Sequence, residues 1–449
     1  MIHNRRYIFD LKRLHDTYGP VVRLGPSDIS FATISAFDTI YGIGADKNFA
    51  ISGSRRSLIV NTDVMTDVML SSCLGNEPRN WLRPIIASTL SDLTGTCSEQ
   101  MFNTAFEQGL KLHRVGHTPS TPMDLSTIHK DYMWTLGSLI ACGRQPKLFS
   151  RSNFDALVDN TEYFTCFLEI CFCFFDRFTV QKYQPTFQKV WWVLCRLAGI
   201  NFPAFGIEND DRVTFKDNHY ALLQAAAKKS KGRDIGDNYL QINSYSTKLS
   251  IYGTSDTSMN AIFYFLLKHP RCLKKVEEEL LSTFRLYSDI SDDRLATLPY
   301  LHACINETLR MAPPFCAGLL QRVSTGATVD GIYIPYGTGV TVDQYSLGNA
   351  EEHWQSANSF QPERWIESIS RKNEKASRPF LTGIRQCPAR TMVFQILRMA
   401  VGKTVYLYDM DLVNKDFDIT VHSSSRLSWT AVDLQVTMRP RASGVMGYE

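Results

Sequence analysis

The feature that most limits the possible folds of this chain is a long central stretch with helical apolar spacing. From about residue 77 to residue 320, apolar side chains recur every three or four positions, and prolines such as Pro119 and Pro270 interrupt the pattern. The run 271–286 is the clearest example, with four apolar residues on one face: Leu273, Val276, Leu280 and Phe284. The pattern predicts a fold built mainly from packed helices.

Short β-like segments flank this stretch at both ends of the chain. Near the start, a helix is predicted over residues 7–18, ended by Gly19-Pro20. The remaining predicted elements are strands over 21–24, 29–31, 327–334 and 338–342, a helix over 389–408, and terminal strands over 417–440. Because the sequence has no internal repeat and no clear linker, we expect one domain over residues 1–449, mainly α with a small β subdomain.

The composition excludes several classes of protein. With 44% hydrophobic and 12% aromatic residues, a chain of 449 residues can fill a large core, which argues against disorder. The net charge of +3 lacks the basic excess typical of nucleic-acid binders, so no nucleic-acid partner is expected. The 11 cysteines are odd in number and scattered, which favours reduced thiols in a cytosol-facing compartment over a disulfide scaffold.

No segment of the sequence has the length and apolarity of a membrane span. Residues 1–6 lead into an amphipathic stretch without the apolar core of a signal peptide. The most apolar run, 164–175, contains Glu169, and as a helix it would rise only ~18 Å against a ~30 Å hydrocarbon core. We therefore expect neither a transmembrane segment nor an N-terminal membrane anchor in this chain.

The most specific motif is FLTGIRQC, residues 380–387, which precedes a helical run. Pro388 suits the first turn of a helix, so Cys387 is predicted at a helix N-terminus, where backbone amides and Arg385 would favour its thiolate. Such a thiolate can ligate iron. Gly383 would let the backbone approach a flat cofactor closely, and Arg385 could bind a carboxylate of that cofactor. The alternative is a buried cysteine beside a surface arginine.

Two shorter motifs precede the cysteine. ETLR, residues 307–310, places Glu307 and Arg310 on one helix face, where they can form an ion pair. PERW, residues 362–365, lies between ETLR and FLTGIRQC. Each short motif alone is common on helix surfaces, so their significance depends on their order along the chain.

In this order, the three motifs resemble the cytochrome P450 superfamily of haem-thiolate monooxygenases. GTSDTS, residues 253–258, resembles the oxygen-activation motif in the family's long central helix. YGPVVRLGP, residues 18–26, and DGIYIPYGTGV, residues 330–340, resemble filamentous-fungal members. The resemblance spans nearly the whole chain, is loosest between residues 100 and 245, and implies the cytochrome P450 fold.

The resemblance implies roles for individual residues. Cys387 matches the axial thiolate ligand of the haem iron, whose electron donation favours O–O cleavage. A buried charge network that stabilises the fold behind the haem corresponds to Glu307, Arg310 and Arg364. Binders of the haem propionates are expected among five residues: Arg79, Trp81, Arg83, Arg322 and Arg385. For Arg79, a solvated surface position is an equally good interpretation.

Asp256 and Thr257 match the acid and the threonine that deliver protons during dioxygen activation in the family. A helical threonine hydroxyl often donates to the carbonyl four residues earlier, which is the non-catalytic alternative. We favour the catalytic interpretation because Gly253 and the β-branched Thr257 are poor choices for the middle of a helix.

Three positions depart from the family pattern. Ala389 stands two residues after the cysteine, where glycine is usual, and Thr254 stands where a small residue often accompanies the first glycine of the oxygen motif. Gly348-Asn349 replaces a pair in which an arginine often follows a histidine. None of these changes removes a group that the chemistry needs, but together they are typical of a divergent member.

The resemblance implies a monooxygenase with haem b as its cofactor, which inserts one oxygen atom from O2 into a hydrophobic organic substrate, in fungal secondary metabolism. Because the sequence has no GxGxxG or Walker-type loop, electrons are expected from a partner, and the resemblance implies NADPH and a reductase in that role. The alternatives are a haem-thiolate isomerase, dehydratase or desaturase, and a catalytically impaired haem-binding paralogue. The Asp256-Thr257 pair argues against an oxygen-independent reaction.

The substrate itself cannot be read from the sequence. Its pocket is expected to be lined mainly by residues 50–75, 150–210 and 313–320, where the resemblance is weakest. Residues 191–206 are aromatic and apolar, so they either contact a membrane, in a peripheral association with the endoplasmic reticulum, or form ordinary core.

Overall fold

A computed structural model of the chain describes residues 6–51, 76–94, 96–114, 121–143, 217–229, 237–315, 321–366, 374–425, 429–430 and 432–441. Several segments singled out from the sequence lie outside these ranges. They are residues 150–210, most of 50–75, residues 316–320, and the apolar runs 164–175 and 191–206.

Helices make up most of the described chain. In order they are α1 (Tyr7–Tyr18), α2 (Ile34–Tyr41), α3 (Asn76–Leu93), α4 (Thr96–Arg114), α5 (Leu125–Cys142), α6 (His219–Lys229), α7 (Asp237–Ser250), α8 (Asp256–Lys268), α9 (Pro270–Thr283), α10 (Asp292–Leu295), α11 (Pro299–Met311), α12 (Gln344–Gly348), α13 (Arg390–Leu407) and α14 (Ile419–His422). A π-helical turn, Ile251–Ser255, joins α7 and α8 into one long helical run. Short 3-10 turns cover Ala45–Lys47, Tyr287–Asp289, Pro362–Trp365 and Gly383–Arg385.

The strands are short and lie mainly near the two ends of the chain. In order they are β1 (Val21–Gly25), β2 (Asp28–Phe31), β3 (Phe49–Ile51), β4 (Met123–Asp124), β5 (Arg322–Ser324), β6 (Ala327–Val329), β7 (Ile332–Ile334), β8 (Gly339–Val342), β9 (Tyr408–Leu412), β10 (Ser424–Ser425), β11 (Trp429–Thr430) and β12 (Gln435–Pro440).

The largest sheet ties the start of the chain to its later half. Its strand order is β1-β2-β8-β5-β3. Strands β2 and β8 run parallel, with Ile29 opposite Val340, whereas the other neighbours are antiparallel. A three-stranded antiparallel sheet, β4-β12-β9, holds the end of the chain, with Val436 opposite both Met123 and Leu412.

The first helix and strands agree with the sequence prediction. Helix α1 covers the predicted residues 7–18 and buries Ile8 and Leu11 in the helical core. It ends at Gly19, whose φ of 93° lies in the left-handed region that glycine adopts without strain. The mainly α fold with small β-sheets is thereby confirmed.

The amphipathic run 271–286 is also helical, but it ends earlier than expected. Helix α9 ends at Thr283, and Leu273, Val276 and Leu280 are buried on its inner face. Phe284 is buried too, although its backbone is already extended, with φ −113° and ψ 128°. Apolar spacing alone therefore identified the buried residues but not the end of the helix.

The segment 327–334 is a hairpin and not the single strand-like run that was predicted. Strands β6 and β7 pair antiparallel, with Val329 opposite Ile332. Asp330 and Gly331, with φ values of 50° and 80°, form the two-residue turn between them. An Asp-Gly pair favours such turns because both residues tolerate positive φ.

The prediction of terminal strands over 417–440 is only partly right. Strands β10, β11 and β12 lie in this range, but Ile419–His422 is helical. The Asp418 side chain accepts a hydrogen bond from the Thr420 backbone N–H at 2.7 Å and so caps this short helix.

The described helices include no candidate for a membrane span. Within those ranges, no helix combines sufficient length with sufficient apolarity to cross a bilayer.

Candidate active site

Cys387 lies in a tight loop between the 3-10 turn Gly383–Arg385 and α13. Its backbone N–H donates to the carbonyl of Phe380 at 2.8 Å, so the two ends of the motif 380–387 are hydrogen-bonded to each other. Every residue from 377 to 389 is partly exposed, whereas most of the following helix is buried. The loop therefore borders an accessible space.

Gly383 packs closely against the backbone that follows α2. Its φ is 67°, a value that favours glycine. A Cβ atom at this position would lie 2.7 Å from the carbonyl oxygen of Tyr41 and 2.9 Å from the backbone of Gly42. Glycine is therefore required at this position for packing against the backbone after α2.

The electrostatics of the Cys387 thiol also differ from the sequence prediction. Burial raises the pKa of this thiol, while a hydrogen bond from the backbone N–H of Ala389 and the positive charge of Arg83 oppose that effect. The opposing cation is thus on α3, whereas the sequence suggested Arg385. Bound iron would remove the proton, because a metal-coordinated thiol is deprotonated.

Arg83 connects α3 to the cysteine loop. Its Nη2 donates to the carbonyl of Gln386 at 3.0 Å. Its Nε is buried and has no hydrogen-bond partner among the described residues. A buried donor without an acceptor is energetically unfavourable, so this N–H is available to an anionic group beside the loop.

Arg322 lies on β5 and is buried. Its guanidinium carbon is 5.1 Å from the centre of the Tyr41 ring, and its Nη1 donates to the carbonyl of Gln321 at 3.3 Å. Burial lowers the pKa of Arg322, and Tyr41 opposes this change. Because Gly383 contacts the Tyr41 backbone, Tyr41 is a common neighbour of Arg322 and of the loop that carries Arg385.

The other expected propionate binders are less completely described. Arg385 is the last residue of its 3-10 turn and is partly exposed. Arg79 and Trp81 lie on α3, but their side chains lie outside the described part of the structure.

Glu307 is the centre of a buried charge cluster. Arg310 donates to its carboxylate through Nε at 2.9 Å and Nη2 at 2.8 Å. The same carboxylate accepts hydrogen bonds from Arg364 Nε at 3.0 Å, the Trp365 indole at 2.8 Å and the Gln361 backbone N–H at 3.0 Å. The structure thus brings together the three residues that the resemblance assigned to a network.

The two arginines of this cluster have further acceptors. Arg310 Nη1 donates to the carbonyls of Gly348 and Ala357, and Arg364 Nη1 donates to the carbonyl of Gln355 at 3.1 Å. Such additional hydrogen bonds are what a buried ion pair needs to offset its desolvation. The cluster therefore fixes α11 against the segment from residue 348 to residue 365.

The central helix widens just before Asp256. The turn Ile251–Ser255 is π-helical, a distortion that often marks functional sites. Between residues 251 and 267, only Gly253 and Thr254 are partly exposed. A Cβ atom on Gly253 would meet no atom within 4 Å. The π turn therefore borders an open space within an otherwise buried helix.

Thr257 makes the hydrogen bond that the non-catalytic interpretation predicts, to the carbonyl four residues earlier. Its Oγ1 donates to the carbonyl of Gly253 at 2.9 Å and lies 3.4 Å from the carbonyl of Trp429 on β11. Trp429 is held in turn by its indole N–H, which donates to the carbonyl of Pro313 at 3.0 Å. The Thr257 oxygen can still accept a hydrogen bond, because a hydroxyl has two lone pairs.

Two of the departures from the family pattern have simple local explanations. Ala389 has φ −98° and ψ 14°, which any L-residue can adopt, and it packs against the main core. Helix α13 begins after it, at Arg390, one residue later than the start of the predicted helix 389–408. Asn349 donates to the carbonyls of Tyr345 at 2.9 Å and Met311 at 3.3 Å, so it ties α12 to the end of α11.

These residues fit a haem group. The cysteine borders an accessible space, a buried arginine donor next to its loop lacks a partner, and the π turn of the central helix faces open space at a glycine. A thiolate can ligate the iron of a flat, anionic cofactor, cationic donors can bind its carboxylates, and a small residue leaves room for it.

The family model described as Cytochrome P450 matches residues 2–438 of the chain. The chain belongs to the cytochrome P450 family. Over its whole length it is 45% identical to the cytochrome P450 monooxygenase bfoB of Aspergillus brasiliensis, covering 91% of that protein. It is 43% identical to the cytochrome P450 monooxygenase aunB of Aspergillus niger, covering 93%. Sesterfisheric acid synthase of Neosartorya fischeri is 25% identical over 98% of this chain and 88% of that protein.

The comparisons confirm the resemblance found in the sequence, and they do not favour the alternative reaction classes. This cytochrome P450 is a haem-thiolate monooxygenase. The haem iron supplies the redox chemistry that activates dioxygen when the group is bound. On the protein side, Cys387 would hold the iron, and Arg83, Arg322 and Arg385 would bind the propionates.

Sequence reasoning missed two residues of this cytochrome P450 site. Tyr41 links Arg322 to the cysteine loop, and Trp429 lies beside Thr257. Both come from segments far away in the chain, and neither lies in a recognisable motif. Trp365, in contrast, is part of PERW and could have been assigned to the Glu307 cluster from that motif.

Proposed function

We propose that this monooxygenase oxidises a hydrophobic organic substrate in fungal secondary metabolism. Cytochrome P450 monooxygenases of Aspergillus are similar over the full chain, and a more distant relative is named for the synthesis of sesterfisheric acid. The observation that carries the reaction type is the position of Asp256 and Thr257 directly after a π turn that borders open space. In this proposal the two side chains hold and pass protons at that space.

The reaction is tested with isotopic oxygen. Metabolites of the native host with and without the gene identify the substrate as the compound that accumulates in its absence. Turnover of that compound by the purified protein under ¹⁸O2 should give a product with one labelled atom. A product without the label would exclude oxygen insertion and favour an isomerase, dehydratase or desaturase.

We further propose that electrons come from NADPH through a separate reductase. The absence of dinucleotide-binding motifs from the sequence supports this assignment. Within the described residues, Cys272, Cys304 and Cys387 are free thiols, which supports a reducing, cytosol-facing compartment.

Replacement of Thr257 by alanine tests the proton-delivery role. Alanine is a better helix former than threonine, so the variant should fold and bind haem as well as the wild type. We expect several-fold less product per electron consumed, with the difference recovered as hydrogen peroxide. Thr257→Ser keeps the hydroxyl and should retain the wild-type yield. An unchanged yield in Thr257→Ala would mean that the hydroxyl only donates to the Gly253 carbonyl and has no role in proton delivery.

We propose that the protein contacts the endoplasmic reticulum membrane peripherally, and that Ile43, Tyr333 and Tyr336 form the contacting patch. Their exposed fractions are 93%, 66% and 81%. The backbone N–H of Thr325 donates to the carbonyl of Asn48 at 2.9 Å, which joins the turn before the β6–β7 hairpin to the segment after α2. Tyrosine and isoleucine at such positions suit the interfacial region of a bilayer.

Changing Ile43, Tyr333 and Tyr336 together to serine should weaken vesicle binding. Full burial of one apolar side chain is worth about 1.5–3 kcal/mol, and a combined loss of only about 1.4 kcal/mol would already lower the partition coefficient ~10-fold, so we expect a decrease of at least that size. Co-sedimentation with phosphatidylcholine–phosphatidylserine vesicles measures it. Leu286→Ser alters an exposed apolar residue outside the patch and should leave binding unchanged. Equal binding by the triple variant and wild type would exclude this patch as the contact.

A further inference from the structure

Three polar side chains form a buried hydrogen-bonded network between α5 and α8. They are Asp256, Asn260 and His129, with exposed fractions of 9%, 3% and 5%. Asp256 belongs to the oxygen motif, but Asn260 and His129 belong to none of the motifs found in the sequence. Buried polar groups are retained where they are hydrogen-bonded to one another.

Within this network the residues donate in one order, His129 to Asn260 and Asn260 to Asp256. Asn260 lies one helical turn after Asp256, and its Nδ2 donates to Asp256 Oδ1 at 3.1 Å. The Oδ1 of Asn260 lies 2.7 Å from Nδ1 of His129. Because an amide oxygen can only accept, Nδ1 of His129 must carry a proton in this arrangement.

The environment of His129 keeps its ring neutral and in place. The ring lies against Phe263, with the two ring centres 4.8 Å apart. Its Nε2 is buried and has no partner among the described residues. Burial lowers the pKa of His129 to about 4, although Asn260 and Asp124 oppose the effect. At neutral pH the ring therefore has one proton, and the contact with Asn260 places that proton on Nδ1.

Asp256 and His129 together set which way the Asn260 amide points. If the amide turned over, its Oδ1 would face the Asp256 carboxylate, and two acceptors would oppose each other. With His129 donating to Oδ1, the NH2 group is directed at Asp256. The two hydrogen bonds therefore connect the Asp256 carboxyl, through Asn260, to a residue of another helix.

We propose that His129 and Asn260 are positioning residues that hold the Asp256 carboxyl in one orientation for proton delivery. The proposal rests on the proposed role of Asp256 and Thr257. It adds a requirement that the Nδ1–H tautomer of His129 be maintained, and it assigns a function to two residues outside the oxygen motif.

The tautomer of His129 is the first test and does not depend on turnover. Two-bond ¹H–¹⁵N spectra of the ¹⁵N-histidine-labelled holoenzyme, in its diamagnetic ferrous carbon monoxide form at neutral pH, report which ring nitrogen is protonated. The His129→Asn variant identifies the signal by its loss. We expect His129 on Nδ1, whereas exposed histidines prefer Nε2. A ring protonated on Nε2, or on both nitrogens, would overturn the proposal.

The second test compares variants by the ratio of hydrogen peroxide to product. His129→Phe keeps a ring against Phe263 but removes the donor, and Asn260→Leu removes the amide at similar volume. We expect the ratio to rise about 10-fold in each, less than the ~10²-fold or more expected from loss of an acid–base group itself. His129→Asn offers an amide N–H near the place of Nδ1 and should restore much of the coupling.

His219→Phe is the matched control. His219 is a fully buried histidine on α6, its ring nitrogens have no partner among the described residues, and burial lowers its pKa to about 3. Its replacement should leave the ratio at the wild-type value. A wild-type ratio in His129→Phe, together with a raised ratio in Asp256→Asn, would overturn the positioning role and leave the proposed function intact. A wild-type ratio in Asp256→Asn would overturn both.

Discussion

Replacing Glu307 with alanine is expected to leave little folded protein. The carboxylate accepts hydrogen bonds from Arg310, Arg364, Trp365 and the backbone of Gln361. Its removal would leave two buried guanidinium groups without their counter-charge, which costs about 3–5 kcal/mol. Because the net stability of a folded protein is only ~5–15 kcal/mol, the variant should either fail to accumulate in soluble form or unfold at a much lower temperature than the wild type.

Glu278→Ala is the matched control for this prediction. Glu278 also pairs with a cation, Lys274 at 4.0 Å, but both side chains are mostly exposed on the surface of α9. An exposed pair contributes ~0–1 kcal/mol, so this variant should unfold at nearly the wild-type temperature. Comparable thermal unfolding of Glu307→Ala and Glu278→Ala would show that the cluster does not stabilise the fold.

The Glu307 cluster also shows which contacts a local sequence pattern can predict and which it cannot. Helical spacing alone places Glu307 and Arg310 on one face, and the structure has them in contact. Arg364 could be added only through the resemblance, because its position depends on how the chain returns to α11. The Gln361 backbone donor was not foreseen, since any residue type provides a backbone N–H.

Residues whose neighbours come from distant segments could not be predicted. The sequence shows that Gly383 is a glycine in a short motif, but the backbone that it contacts belongs to Tyr41 and Gly42. Likewise, His129 approaches Asn260 from another helix. In each case the contact is decided by tertiary packing, about which local composition and periodicity carry no information.

The π turn at Ile251–Ser255 is another feature that the sequence did not predict. Helical periodicity predicts a continuous central helix, and the structure has one over Asp237–Lys268 apart from this wider turn. The presence of Gly253 in mid-helix was the only local sign of an irregularity. The exposure of Gly253 and Thr254 within a buried run could be recognised only in the folded chain.

Replacing Cys387 with alanine is expected to abolish monooxygenase activity completely. The resemblance assigns this cysteine to the haem iron, and the structure has it in a loop that borders accessible space beside Arg83. Without the thiolate, the electron donation that favours O–O cleavage is lost. Cys387→His would restore an iron ligand but not that electron donation, so it should hold haem and remain inactive.

Cys304→Ala is the control for this substitution. Cys304 is fully buried on α11, and burial raises the pKa of its thiol well above the ordinary value, which disfavours the thiolate needed for ligation. The loss of one buried thiol group should leave haem content and activity largely unchanged. Inactivity of both variants, with haem retained in both, would point to a general effect of cysteine loss on the fold.

The carbon monoxide adduct of the reduced protein tests the central claim most directly. A thiolate ligand shifts the Soret band of this adduct well to the red of its position with a histidine ligand. We expect that shift in the wild type and in Cys304→Ala, and its absence in Cys387→Ala and Cys387→His. A wild-type adduct that absorbs like a histidine-ligated haem, or a thiolate spectrum retained in Cys387→Ala, would contradict the assignment of Cys387 as the iron ligand.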